Sequence, residues 1–160
     1  MAETKIVKMK SNYAKKLRDI WIKQGVIEYT LQTKKLTVKD TLKKLINNQG
    51  KTFVAIINNI PVGCVAIRFF NGRRNHTAEI VIFVDPTQQS TGIGTKLIKT
   101  ALKTIKEKKL KRLELEVNAD NKKAIGLYKK FGFKIEGKKR KAVQRGTKLV
   151  DNYIMARIFN

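Results

Sequence analysis

Residues 81–97 read Val-Ile-Phe-Val-Asp-Pro-Thr-Gln-Gln-Ser-Thr-Gly-Ile-Gly-Thr-Lys-Leu, and they constrain the fold more than any other passage. A strand from about Thr77 to Val84 ends before Pro86, which has no N–H to give to a ladder. A loop of small and polar residues follows. Leu97, Ile98, Ala101, Leu102 and Ile105 then recur at helical spacing, so the strand feeds an amphipathic helix that must lie back on its sheet. Gly92 and Gly94 remove side chains where the chain turns into that helix. Backbone amides there point into one concavity, and the helix dipole adds partial positive charge. This is the chemistry of a phosphate cradle, although a plain strand-to-helix turn has the same two glycines. Gly-Lys-Ser/Thr is missing, which excludes a Walker loop. A third glycine and the later acidic residue are missing too, which excludes the dinucleotide fingerprint.

The remaining elements follow from period and punctuation. Lys5–Lys8 reads as a short strand. Ser11 or Asn12 is expected to cap a helix over Tyr13–Gln24, with Leu17, Ile20 and Trp21 on one face and Gly25 as its stop. Thr37 and Asp40 have the spacing of a capping box for a helix over Val38–Asn47, with Leu42, Leu45 and Ile46 facing inward. Thr52–Ile57 and Pro61–Phe69 are β-rich and joined by Asn58-Asn59, a tight-hairpin signal. Asn71-Gly72 marks another turn. Leu113, Leu115 and Val117 alternate with Glu114 and Glu116, a strand with one wet face. Asp120 or Asn121 caps a helix over Lys122–Lys130 that Gly132 ends, and Phe133–Glu136 and Leu149–Ile158 read as two last strands. The expected order is β-α-α-β-β-β-α-β-α-β-β. This predicts an α/β (α+β) fold, a central mixed sheet of about six to seven strands flanked by about four helices.

The 160 residues fit one domain over 1–160, and no Pro/Gly/Ser-rich linker or repeat divides them. Hydrophobic residues form 42% of the chain, too many for a disordered protein. Cys64 is the only cysteine, so an intrachain disulfide is excluded; with His76 as the only histidine, so is a Cys/His zinc site. Met1–Lys10 lacks the apolar stretch of a secretory signal, and no run approaches a membrane span, so a soluble cytoplasmic protein is expected.

Thirty-six Lys and Arg against twelve Asp and Glu give a formal net charge of +24. Lys103, Lys106, Lys108, Lys109, Lys111 and Arg112 cluster at one helix end, and Lys138-Lys139-Arg140-Lys141 forms a run ahead of the last strand. Such charge attracts polyanions, either a nucleic acid or ribosome or, as a solvated surface, an anionic cofactor.

Gln89-Ser90-Thr91-Gly92-Ile93-Gly94 matches Gln/Arg-x-x-Gly-x-Gly/Ala and resembles the acetyl-CoA pyrophosphate loop of the GNAT N-acetyltransferases. Asn121 to Phe133 is similar to the same family's Asn-x-x-Ala-x-x-Leu-Tyr-x-x-x-Gly-Phe helix, and it lies at the family's order and approximate spacing from the loop. Tyr29–Gln32, Phe131–Gly137 and Val150–Arg157 resemble bacterial members that acetylate free L-amino acids. The resemblance implies direct transfer of acetyl from acetyl-CoA, a cosubstrate, to a primary amine in a ternary complex. The acceptor that the resemblance implies is a small molecule such as an L-amino acid. The alternatives are the N-terminus of a ribosomal or other protein, or a non-catalytic nucleic-acid-binding module on the same fold. A homodimer is compatible with the family.

An alkyl amine has a pKa near ~10 and must be neutral to attack, so a base is needed. The resemblance implies Tyr128 as the acid beside the CoA sulfur and Glu79 as the base, acting through water; Glu116 and Asp151 are alternative bases. It also implies that Gln89, Ser90, Thr91, Gly92, Ile93, Gly94 and Thr95 hold the pyrophosphate. A branched side chain at Gly92 or Gly94 would then stand where the pyrophosphate approaches. Phe83 and Val84 are expected to offer backbone groups to the pantetheine arm, which Asn121 also bonds while capping its helix. Tyr29 and Trp21 are placed at the acceptor mouth, with core packing an equal reading for Trp21. Cys64 reads as core rather than as an acyl carrier, His76 as a turn residue, and no metal is implied.

Overall fold

The computed structural model describes residues 3–46 and 50–160. Its elements run β1 (Lys5–Lys8), α1 (Ala14–Trp21), α2 (Val38–Leu45), β2 (Gly50–Ile57), β3 (Ile60–Phe69), β4 (Thr77–Val84), α3 (Ile93–Glu107), β5 (Arg112–Asn118), α4 (Lys122–Lys130), β6 (Lys134–Arg145) and β7 (Lys148–Ile158). This is the order that the sequence implies. The strands form one sheet in the order β1-β2-β3-β4-β5-β7-β6. All neighbours are antiparallel except β4 and β5.

Strand alternation sends side chains to two cores. Val65, Ile67, Ala78, Ile80, Leu113, Leu115 and Met155 pack on one face against Leu97, Ile98, Ala101 and Ile105 of α3 and Ile125 of α4. Cys64, Ala66 and Phe83 pack on the other against Leu17, Ile20 and Trp21 of α1 and Leu45 of α2. Trp21 is therefore core, stacked on Phe83 with ring centroids 4.7 Å apart.

Local signals explain several boundaries. Asn58 and Asn59 both have positive φ, 49° and 64°, as a type I′ hairpin turn requires. Thr37 and Asp40 close the capping box, with Asp40 N donating to Thr37 Oγ1 and Thr37 N to Asp40 Oδ2, each at 3.1 Å. Other boundaries depart from expectation. No Ser11 or Asn12 side chain caps α1; those residues form a 3-10 turn, Ser11–Tyr13, and Tyr13 stands at the cap position. The helix also stops at Trp21, with Gly25 in the turn beyond at φ +87°. Of the three apolar residues assigned to the inner face of α2, Leu45 is buried, Leu42 half-buried and Ile46 exposed. Ile46 follows the last helical residue, so helical spacing no longer sets its direction. Asn47 lies outside the described residues.

The basic run at Lys138–Lys141, ahead of the last strand, belongs to β6, which continues well beyond the expected Glu136. The strand is an edge, interrupted at Ile135/Gly137 and Lys139/Val143, and lysine suits such an edge because it discourages further pairing. Lys138 bridges to Asp151 at 2.9 Å, and the Lys141 amide donates to the same carboxylate at 2.8 Å. Among the described residues no helix is long and apolar enough to cross a membrane.

Two contacts fix α3 and the segment after α1. A side chain at Gly94 would stand 3.2 Å from Leu127 Cδ2, so glycine lets α3 and α4 approach. Asp85, buried at the end of β4, accepts from Lys23 Nζ at 2.8 Å and from the Thr87 amide and hydroxyl at 3.0 and 2.9 Å.

Gly94→Val is expected to destabilise the fold by about 1–3 kcal/mol through overpacking. Adding Leu127→Ala should recover part of that loss in urea unfolding, a coupling that a double-mutant cycle reads. Burial alone would raise the Asp85 pKa, but hydrogen bonds from Lys23 and Thr87 outweigh it and hold the carboxyl below its ordinary value. A lowered folded pKa contributes stability above the ordinary carboxylate range of ~4 and loses it as pH falls through the lowered value. Asp85→Asn should therefore cost about 1 kcal/mol at neutral pH, a cost that closes in strong acid; a pH series of unfolding midpoints measures it.

Candidate active site

The ladder between β4 and β5 has only three rungs, Thr77↔Arg112, Ala78↔Leu113 and Glu79↔Glu114. Beyond them Ile80–Val84 and Leu115–Asn118 have no pairing with one another. β4 stays bound to β3 as far as Gly63↔Val84, and β5 to β7 as far as Asn118↔Asn152, so a wedge opens between two supported strands. The Asp85 amide donates to Val62 O at 2.8 Å. Strand alternation then directs the backbone groups of Phe83 to β3 and those of Ile82 and Val84 into the wedge. Of the two residues expected to serve the pantetheine arm, Val84 has the required direction. Phe83 supports the site by its side chain, beneath Trp21.

The loop leaving β4 ends in two left-handed residues, Ser90 at φ +65° and Gly92 at φ +86°. Ser90 is exposed, while Thr91 Oγ1 donates to Gln88 O at 2.6 Å. Gly92 stands at the N-cap of α3, and the first intrahelical bond runs from Lys96 N to Gly92 O at 3.0 Å. The amides of Ile93, Gly94 and Thr95 thus lack helical partners, no side chain caps them, and no acidic residue lies in the first turn. Lys123 reaches Gln89 Oε1 at 3.3 Å from α4. These features fit a pyrophosphate: free donors, a positive helix end and a flanking lysine. A Cβ at Gly92 would meet open space, whereas one at Gly94 would meet Leu127, so the two glycines differ in role. Gly92 supplies the backbone conformation and Gly94 the helix contact. A Gly94 side chain would also press on Leu127 of α4.

That contact places α4 beside the N-terminal turn of α3. Asn121 caps α4, its Oδ1 accepting from Ala124 N at 3.2 Å, which leaves its amide nitrogen for another partner. Tyr128 is buried on the same helix, its ring tilted against Phe133 at 5.8 Å. Burial pushes the Tyr128 pKa up to about 12, so its phenol stays protonated at neutral pH.

The sheet face opposite α3 and α4 carries carboxylates. Glu79, Glu114, Glu116 and Glu136 line a cavity of about 420 Å³ with Arg112 and Lys139. Each carboxylate has a cation: Arg68 with Glu79 at 2.6 Å, Arg74 with Glu114 at 2.5 Å, Arg112 with both Glu114 and Glu136, and Lys139 with Glu116. Asp151 is consumed by Lys138 and the Lys141 amide, away from this cavity. Tyr29 is exposed, beneath the Arg145 guanidinium at 4.9 Å, and is not among the residues lining this cavity. His76 is an exposed turn residue whose carbonyl accepts from Lys111 and Arg112 amides. Cys64 is fully buried, and burial pushes its thiol well above the ordinary range, which removes it as a nucleophile.

Two groups escaped the sequence reading. Asp85 ties Lys23 to the loop, and only its Asp-Pro-Thr turn signal was visible. Arg145 donates to Glu28 O, to both Asp120 oxygens and to Asn118 Oδ1, which joins Tyr29 to the end of β5. No sequence signal pairs residues so far apart.

A family model described as Acetyltransferase (GNAT) family matches residues 14–133. The chain is 35% identical to the L-amino acid N-acetyltransferase AaaT of Escherichia coli (strain K12) over 119 residues, 72% of this chain and 74% of that one. The fold matches an N-acetyltransferase from Staphylococcus aureus Mu50 with TM-score 0.88 and 20% identity, covering 98% and 99% of the two chains. It also matches yncA from Salmonella typhimurium, solved with its cofactor acetyl-CoA, with TM-score 0.86 and 14% identity over 98% and 94%. The chain belongs to the GNAT acetyltransferase family and is an acetyl-CoA-dependent N-acetyltransferase.

Proposed function

We propose that residues 1–160 act as one N-acetyltransferase domain whose acceptor is the amine of a small molecule, an L-amino acid. The observation that carries this reading is the wedge itself, which opens between a carboxylate face and a tyrosine face. The amino acid class is supported by the likeness to AaaT, which spans most of the chain.

Acetyl-CoA supplies an activated thioester when bound. The residues from Gln89 to Thr95, with the free amides at the start of α3, hold its pyrophosphate; Val84 and Asn121 steady the pantetheine arm. Glu79, directly or through one water, takes a proton from the acceptor ammonium. The neutral nitrogen then forms the N–C bond as the C–S bond breaks, and the second nitrogen proton passes to solvent. Tyr128 presents its O–H to the sulfur as negative charge develops there, and the raised pKa keeps that donor in place. Tyr29 stands at the acceptor mouth. The net charge of +24 steers the anionic cofactor toward the protein.

A screen of free amines that reads thiol release tests the acceptor class. Turnover of a peptide N-terminus with none of any free amino acid would overturn it. Tyr128→Phe should keep the fold and CoA binding and lower kcat by roughly 10–10³-fold. A tyrosine pKa raised above ~10 contributes stability below that value and loses it as pH rises through about 12. The variant should lack both the alkaline stability loss and one high-pH phenol titration, read by ultraviolet absorbance. Glu79→Gln should lower kcat by about 10²–10³-fold, and Glu116→Gln by less; the reverse ranking would move the base to Glu116.

A further inference from the structure

Lys139 Nζ contacts Glu116 Oε1, bridging β6 to β5 across β7. The two partners are held differently. The other Glu116 oxygen accepts from Asn152 Nδ2 at 3.2 Å, Asn152 Oδ1 accepts from Asn118 Nδ2 at 2.5 Å, and Asn118 Oδ1 accepts from Arg145 at 3.1 Å. Asn118 and Asn152 are both buried, so Glu116 is fixed by a polar chain through the sheet. Lys139 has no second hydrogen-bond partner among the described residues, and its side chain is 48% exposed against 35% for Glu116. An exposed single lysine pair contributes little and opens readily. The neighbouring carboxylates are less available. Arg112 grips Glu136 through two N–H groups at 3.1 and 2.6 Å and Glu114 at 2.8 Å.

The pair sits on the 420 Å³ cavity beside Leu115, where β5 leaves β4, and Lys139 also feels the charge of Glu79. A fixed anion next to a movable cation, at the mouth of the wedge, has a specific complement. Resting on the acetyl-transfer reading, we infer that the Glu116–Lys139 pair recognises an α-amino acid as its zwitterion, the ammonium taking Glu116 and the α-carboxylate taking Lys139. The exchange leaves every charge paired. A simple amine, an amino acid carboxamide or a peptide N-terminus would occupy Glu116 and leave Lys139 without an anion. The nitrogen, held at Glu116, faces the Glu79 side of the same cavity for deprotonation. Glu116 and Lys139 thereby select free amino acids over peptides.

The experiment compares the twenty L-amino acids with the carboxamides of the best acceptors, using wild type, Lys139→Met and Lys139→Arg with acetyl-CoA, melting curves confirming each fold. Loss of a charge-assisted bond predicts that Lys139→Met raises the amino acid KM about 10–100-fold, leaves the acetyl-CoA KM within about threefold, and changes the carboxamide KM far less. Lys139→Arg should restore most of the amino acid affinity. Equal effects on acid and carboxamide, or no effect on either, would overturn the zwitterion site while leaving the small-acceptor reading intact. A wild-type enzyme that acetylates no free amino acid but does acetylate peptide N-termini would overturn both.

Discussion

The parting of β4 from β5 is the constraint on which the rest of the site depends. A parallel pair can be released after three rungs because each strand is held on its outer edge, β4 by β3 and β5 by β7. The last rung sets Glu79 beside Glu114, two like charges that disfavour further pairing unless cations intervene. Arg68, Arg74 and Arg112 are those cations, and they close the base of the opening rather than its mouth. From there the strands diverge with their backbone groups unspent on one another. A ligand with amide groups can enter as a substitute strand, and the two sheet faces then present different chemistry to its end.

The charge of the chain is segregated on the same framework. α3 carries Lys96, Lys99, Lys103 and Lys106 with Glu107 as its one acidic residue, and α4 carries Lys122, Lys123, Lys129 and Lys130 with none. Four of the twelve acidic residues line the 420 Å³ cavity on the opposite face. The helical layer that borders the loop before α3 is thus cationic, and the opposite face is a mosaic of paired charges. A cationic helical layer beside the loop favours the approach of an anionic cosubstrate.

Much of this was legible in the residues. The β4 limits, the Asn58-Asn59 hairpin, the Thr37–Asp40 box and the Asn121 cap are local: each is decided by backbone preferences and hydrogen bonds within a few residues. Apart from the cap and end of α1 and the exposure of Ile46, the departures are long-range. A side chain at Gly94 would press on Leu127, thirty-three positions away. β6 extends through a lysine run because β7 offers it a partner and Asp151 pairs with the Lys138 ammonium and accepts from the Lys141 amide. The pairing of Glu116 with Lys139 and the hold of Arg145 on Tyr29 and Asp120 have no periodic or motif signature at all.

The sequence by itself determined the element order, the two apolar faces of the sheet and the loop-to-helix turn with its free amides, since period, turn chemistry and glycine placement act locally. Only the tertiary structure decided where the sheet opens, which way Phe83 and Val84 turn their backbone groups, and which cation meets each carboxylate. Those are properties of register and of strands brought together from distant parts of the chain. A one-residue shift in register would send every side chain of a strand to the other face. Residue identities along one segment do not fix that register; the packing of both cores does.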